Sequence, residues 1–214
     1  MKKVIFIILF FSLFSDCFAQ SENRFQIWNK NEVVILPWKN IAIEVAEKIH
    51  YSPERNAADV KYSELFLSHE PQKWFEYGAG FRITKINTYP GWIQEYRPML
   101  FADFSKTYKH FNFKYSNRFE YRIFEIDLDQ FRYRQEFLVE FPALANWGMR
   151  FYTSEESFYR FDESEIHLFR AYGGLSAIKK EHFKLKIYYA FEKFKPVDTW
   201  RTTNIVGLNM SFLI

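Results

Sequence analysis

Cysteine is all but missing from this chain: one residue, Cys17, in 214. It falls inside an N-terminal stretch that reads as an export signal, so the mature chain has no thiol. That excludes disulfides, cysteine-ligated zinc and a cysteine nucleophile. Long apolar runs are also missing. After Phe14 no uncharged stretch approaches the ~20 residues that a spanning helix needs. No charge of one sign dominates either. The net charge is only +3, which removes the electrostatic case for a nucleic-acid partner. No linker, repeat or low-complexity segment is visible.

The first residues differ from the rest. Lys2 and Lys3 form a short positive region, Val4 to Phe14 is almost unbroken apolar sequence, and Cys17-Phe18-Ala19 fits the small-x-small cleavage rule. The expectation is a signal peptide over 1–19, cut after Ala19, and one domain over 20–214. An uncleaved anchor is the alternative, but its apolar run is about half of what a span requires. A lipid-bearing Cys17 is disfavoured by Asp16, which sits where such signals carry a small neutral residue.

What is abundant is rings. Aromatics make up 21% of the chain and charged residues 26%, with a mean hydropathy of −0.31. Phase explains how both fit. From Phe111 to Ile123 the odd positions are Phe111, Phe113, Tyr115, Asn117, Phe119, Tyr121 and Ile123. The even ones are Asn112, Lys114, Ser116, Arg118, Glu120 and Arg122. Period two held that long is a strand with one apolar and one charged face. Phe131 to Phe141 repeats it, with Gln135 intruding on the apolar face. Ile41 to Ile49 does so with Glu47 intruding. Further runs cover 75–83, 92–104, 149–152, 183–192 and 205–212, and weaker ones lie near 25–36, 59–68 and 165–176.

Prolines 37, 53, 71, 90, 142 and 196 fall at or beside expected turns, where a missing N–H costs no ladder bond. Pro98 lies inside a run, where a bulge or local ladder break is expected. Short connections (37–40, 69–72, 105–109, 143–147, 177–181) alternate with longer ones (51–58, 86–91, 125–130, 156–164, 192–199), the habit of outer-membrane barrels. About eleven strands can be counted, whereas bacterial single-chain barrels use even numbers. The segment 25–36, with Asn29-Lys30-Asn31-Glu32, has the weakest alternation. The expectation is therefore an all-β, antiparallel up-and-down transmembrane β-barrel of about ten strands, with twelve as the alternative.

Alternation alone leaves two arrangements open. A soluble barrel turns its rings inward; a membrane barrel turns them to lipid and its charges to the lumen. Three features favour the membrane: runs of about ten to thirteen residues, the length a tilted crossing strand needs; Tyr and Trp that suit membrane interfaces; and both charge signs interleaved on the other face.

The run Phe131-Arg132-Tyr133-Arg134, the segment Phe151-Tyr152-Thr153-Ser154-Glu155-Glu156-Ser157-Phe158 and the strand Phe169-Arg170-Ala171-Tyr172-Gly173-Gly174 carry a resemblance. The chain resembles the uncharacterised outer-membrane β-barrel family catalogued as domain of unknown function 2490. The likeness spans most of the mature chain and implies a barrel in the outer membrane with no established activity. The chain departs from the usual barrel-assembly signal, since it ends Phe212-Leu213-Ile214 rather than on an aromatic, leaving Phe212 as a displaced version.

On this phasing Glu95, Arg97, Arg118, Glu120, Arg122, Arg132, Arg134, Glu136, Arg150, Glu156 and Arg170 point inward. A barrel of this size is largely filled by side chains, so the first reading is a charge ladder that plugs and stiffens it, each Arg forking to a carboxylate. The second is a narrow pore whose arginines screen anionic solutes. A lipid-modifying enzyme would need a His, a Ser and a carboxylate in reach of one another. Of His50, His69, His110, His167 and His182, only His69 sits in a tight cluster, Ser68-His69-Glu70, and neighbours on a strand face opposite ways. His167 reads as lipid-facing or near the rim. Asp127 and Asp129 are spaced like the start of a calcium loop, but Phe131, Arg132 and Leu138 occupy its other key positions. Rings near 147–161 could stack on sugars, though membrane girdles explain them. No cofactor and no metal is expected. The partners expected are outer-membrane lipid and, during biogenesis, periplasmic chaperones and the barrel-assembly machinery. A soluble periplasmic lipid-binding β-protein remains the third alternative.

Overall fold

The computed structural model describes residues 24–88, 91–126, 129–144, 148–196 and 199–214, with Lys179 by its backbone alone. The expected leader 1–19, Asp127 and Trp147 lie outside the described residues. The strands are β1 Arg24–Trp38, β2 Ile41–Ser52, β3 Ala57–Gln72, β4 Phe75–Asn87, β5 Trp92–Tyr108, β6 Phe111–Phe124, β7 Gln130–Glu140, β8 Arg150–Arg160, β9 Glu165–Lys179, β10 Phe183–Phe194 and β11 Arg201–Leu213. They form one closed barrel in which each strand pairs antiparallel with its sequence neighbour.

The strand number is eleven rather than ten. The segment set aside on its weak alternation is a strand, β1. An odd meander leaves its first and last strands pointing the same way, so closure requires a parallel pair. That seam runs from Arg24↔Thr203 to Val34↔Leu213. Backbone bonds from Ile214 to the Val34 carbonyl (2.9 Å) and from Leu36 to the Ile214 carbonyl (3.2 Å) extend it. The sequence concealed β1 because polar residues occupy both of its faces at mid-strand.

The strands are strongly staggered. Bridged partners lead from Trp28 through His50, Val60 and Ile86 to Ile93 of β5. In the other direction they lead through Gly207, Tyr188, Gly174, Tyr152, Glu140 and Asn112 to Thr107, fourteen residues along the same strand. With strands about 4.8 Å apart and about 3.3 Å rise per residue, this stagger tilts them by roughly 40°. One end of the barrel, the turn end, has the two-residue connections Lys39-Asn40, Lys73-Trp74 and Lys109-His110, and also 180–182 and the longer 141–149. The other, the loop end, has connections of four to six residues. Pro98 breaks the ladder to β6 without a bulge: pairing skips Arg97 and Pro98 and resumes at Met99↔Glu120 in the same register.

The faces are sorted as in a barrel turned inside out. Charged side chains such as Glu95 and Glu120 are fully buried within, whereas Leu100, Phe119, Phe131 and Phe151 are more than half exposed on the outside. The arrangement with the rings packed as a core is not the one adopted.

Four of the seven glycines share one task. Gly78, Gly80, Gly174 and Gly207 face the interior opposite Phe101, Phe66, Tyr152 and Tyr188 on the neighbouring strands. Each ring lies where the glycine's Cβ would be: it would meet the Phe66 ring at 2.3 Å, Tyr152 at 2.6 Å and Tyr188 at 2.0 Å. Gly78 is less forgiving, because its Cβ would also meet a backbone atom, the Leu67 carbonyl oxygen, at 2.2 Å. A ring can swing away, but a paired backbone cannot. Gly78→Ala is therefore expected to destabilise the barrel by about 1–3 kcal/mol, and Gly174→Ala by clearly less. Denaturant titration of tryptophan fluorescence checks the order, and equal losses would refute this account.

Candidate functional site: the charged barrel interior

Strand alternation delivers every second side chain to a confined space, so the interior must satisfy whatever charges it receives. It does so in three clusters. In the first, Glu95 accepts from Arg97 Nε at 2.6 Å and from the Arg122 fork at 3.0 and 2.9 Å. Glu120 Oε2 takes Arg132 Nε at 2.9 Å, Arg132 Nη2 at 2.5 Å and Arg97 Nη1 at 3.2 Å. In the second, Glu64 is forked by Arg82 at 2.9 and 2.5 Å, while Lys30 reaches Glu32, Glu44 and Glu64 at 2.6, 2.9 and 3.3 Å. In the third, Arg134 binds Glu156 at 2.5 Å and Glu136 at 3.2 Å. Arg170 binds Glu192 at 2.6 Å and Glu156 at 3.2 Å, and the Tyr172 hydroxyl also donates to Glu156.

Aromatic rings fill the space between clusters. The Phe158 ring is approached by Arg132, Arg134 and Arg170 at 4.7, 5.5 and 5.0 Å. Trp28, almost wholly buried, stacks on His50 at 3.8 Å and lies under Lys48 at 4.0 Å and Arg170 at 5.0 Å. Such contacts are attractive between a cation and a ring face and gain strength when water is excluded.

All eleven charges expected to face inward lie on the interior face, although their surroundings differ. Glu95, Arg97, Glu120, Arg122 and Arg132 form the first cluster, and Arg134, Glu136, Glu156 and Arg170 the third. Arg150 stands near the turn end, 3.5 Å from Glu140. Among the described residues Arg118 forms no ion pair with a carboxylate: its guanidinium lies 4.8 Å over Phe66 and its Nε has no partner. The second cluster was missed. Arg82 showed the right phase, but Lys30 and Glu64 belong to strands whose alternation is weak.

A cavity of about 550 Å³ is lined from the turn-end half of the strands, by Glu32, Glu44, Glu76, Asp103, Lys114 and Lys186 among others. The rings seated on the four glycines, Phe66, Phe101, Tyr152 and Tyr188, form part of its wall. At its mouth the side chains of Lys114 and Glu76 are 41% and 34% exposed. Towards the loop end Glu95, Arg97, Glu120, Arg132 and Phe158 stand outside the cavity, with Glu95 at 0% and Glu120 at 2% exposure. Among the described residues the result is a vestibule whose floor is made of these buried side chains.

The histidines are dispersed. His167 is not on the outward face; it is buried between Phe158 and Phe194, because β9 bulges there against β8. His69 meets the Tyr77 hydroxyl at 3.2 Å, while the buried Ser68 lines the cavity. Asp129 accepts from the Tyr121 hydroxyl and the Phe124 amide, which ties it back to the end of β6. Among the described residues no cluster of three or more His, Cys, Asp or Glu is arranged to hold a metal.

The shared acceptor Glu120 sets a sharp expectation. Glu120→Gln removes the charge that both Arg97 and Arg132 face, at a cost of about 3–5 kcal/mol. Glu76→Gln, at the solvated mouth, should cost no more than about 1 kcal/mol. Denaturant midpoints of the two variants separate these outcomes, and a mild effect at Glu120 would mean that water reaches the floor.

No curated protein and no solved structure matches the chain significantly. Over residues 25–203, from β1 into β11, it matches the family described as Protein of unknown function (DUF2490). That stretch is most of the chain and nearly all of the barrel wall, and the chain belongs to this family.

Proposed function

We propose that the protein is an outer-membrane β-barrel that is sealed by its own interior charges and serves as a structural element of the membrane, not as an open diffusion channel. The observation that carries the reading is the inverted polarity of the wall: buried guanidiniums and carboxylates inside, exposed Phe, Leu, Ile and Val outside. A predominantly apolar exterior of this kind is a liability in water and a requirement in lipid. Strands of eleven to seventeen residues meet or exceed the ~9–11 that a tilted crossing needs. The exposed rings also gather at two levels, Trp38, Trp74 and Tyr108 near the turn end and Trp92, Phe161 and Trp200 near the loop end, as interfacial girdles do. On this reading the leader 1–19 directs export, periplasmic chaperones and the barrel-assembly machinery deliver the chain, and outer-membrane lipid is its lasting partner. Short turns conventionally face the periplasm, so the vestibule opens inward and its sealed floor faces outside.

The sealed floor argues against the narrow-pore alternative, because a solute would have to displace Glu95, Glu120 and their arginines together. The test combines extraction, gel mobility before and after boiling, and planar-bilayer recording. Detergent-dependent extraction, a mobility shift and no stable conductance are expected. Steady conductance that changes when Arg132 or Arg134 is neutralised would replace the plug by a pore. A chain soluble without detergent would end the membrane reading.

A further inference from the structure

Glu47 and Gln135, the two intruders on otherwise apolar faces, are not isolated. Each stands in a cross-strand row of polar residues on the outside of the wall. One row is Asn31↔Glu47↔Ser63, across β1, β2 and β3. The other is Asn117↔Gln135↔Ser157, across β6, β7 and β8, and Glu155 lies beside it, two residues along β8. Glu47 and Glu155 are both exposed, and neither makes a hydrogen bond or ion pair among the described residues. Both are at mid-strand: Glu47 is six residues from Ile41 and five from Ser52, and Glu155 is five from either end of β8. The other outward charges on the strands, such as Lys61, Lys85 and Lys106, lie within four residues of a strand end. If the wall faces lipid, these two carboxylates sit at the level where a charge is most costly, and polar groups at that depth belong against protein.

The rows are complementary. Beside Glu47, Asn31 gives one amide hydrogen to Asn29 at 3.0 Å, which leaves its second, both of Asn29 and the Ser63 hydroxyl. Beside Glu155, Gln135 donates to the buried Ser157 at 2.9 Å and accepts from Tyr115 at 3.1 Å, which leaves one amide hydrogen of Gln135. Each row thus holds a carboxylate without donors and at least one donor without an acceptor. The rows are centred on β2 and β7, five strands apart one way round the barrel and six the other, so they lie nearly opposite at matching height. We infer that the two rows are contact surfaces for further copies of this chain, standing side by side in the same orientation: Glu47 of one copy meets the Gln135 row of the next, and Glu155 meets the Asn31 row. The contact is head-to-tail and builds rows rather than closed dimers. The inference rests on the membrane reading above.

The test uses the full chain in membranes, where Cys17 is the only native cysteine and lies in the expected leader. Ser63→Cys and Thr153→Cys are introduced singly and together, and a thiol-reactive bifunctional crosslinker is added. The double variant is expected to give a ladder beyond the dimer and the single variants none. Adding Glu47→Leu and Glu155→Leu should cut the crosslinked fraction about a hundredfold or more, the loss of two charged hydrogen bonds per contact, while the boiling-dependent mobility shift persists. A barrel that needs detergent and shows the shift but gives no ladder overturns the inference and leaves the membrane reading standing. Dimers from a single variant overturn the head-to-tail arrangement. A chain soluble without detergent removes the membrane reading, and the inference with it.

Discussion

Everything in this molecule depends on charge neutralisation inside a closed wall. Alternation places half of each strand's side chains in the interior, and here that half is rich in Arg, Lys and Glu. A buried charge without a partner costs several kcal/mol, so the interior can be stable only if guanidiniums and carboxylates arrive together. The three clusters meet that demand across strands: Glu120 on β6 joins Arg97 on β5 to Arg132 on β7, and Glu156 on β8 joins Arg134 on β7 to Arg170 on β9. Each link ties neighbouring strands a second time, beyond the backbone ladder. The rings of Phe158 and Trp28 bring cations from different strands over shared faces, and Phe158 joins the first cluster to the third in one packed layer.

That layer does not fill the barrel evenly, and the glycines help to explain why. A ring seated on a glycine lies along the wall instead of projecting towards the axis, and four such pairs border the vestibule. Towards the loop end the interior has Met99, Phe158, Leu168 and Ile205 buried among its charges. The odd strand number adds a further asymmetry, since the two ends of the wall's chain, at Arg24 and Leu213, lie at opposite ends of the barrel. The parallel seam joining them has eleven consecutive residue pairs, so closure does not leave an open edge for other chains to extend.

Much of this was legible in the sequence, and the failures are instructive. The alternation from Phe111 to Ile123 and from Phe131 to Phe141 gave both the strands and the grouping of Arg118, Glu120, Arg132 and Arg134 on one face. Pro98 marked a ladder break, and the break is there. The first strand was misjudged because Asn29 and Asn31 point out while Lys30 and Glu32 point in, so polarity no longer reports phase. The same outward polar residues that hid the strand are those for which a contact surface is inferred. Arg118 shows another limit: phase put it inside, but its ring neighbour and the absence of a carboxylate depend on β3 and β6, which are distant in the sequence.

The sequence by itself determined that the chain is built of long two-faced strands broken by short turns, and which residues share each face, because period two is a local property of the backbone. Only the tertiary structure decided which face is inside. The same alternation suits a water-soluble barrel with a ring-filled core and a barrel with a charged interior; the choice is made when eleven strands close at a particular stagger and the enclosed space either accepts or rejects the side chains pointing into it. Here closure brings Arg and Glu from neighbouring strands within hydrogen-bonding reach and leaves the rings outside, and neither outcome is encoded in any single strand.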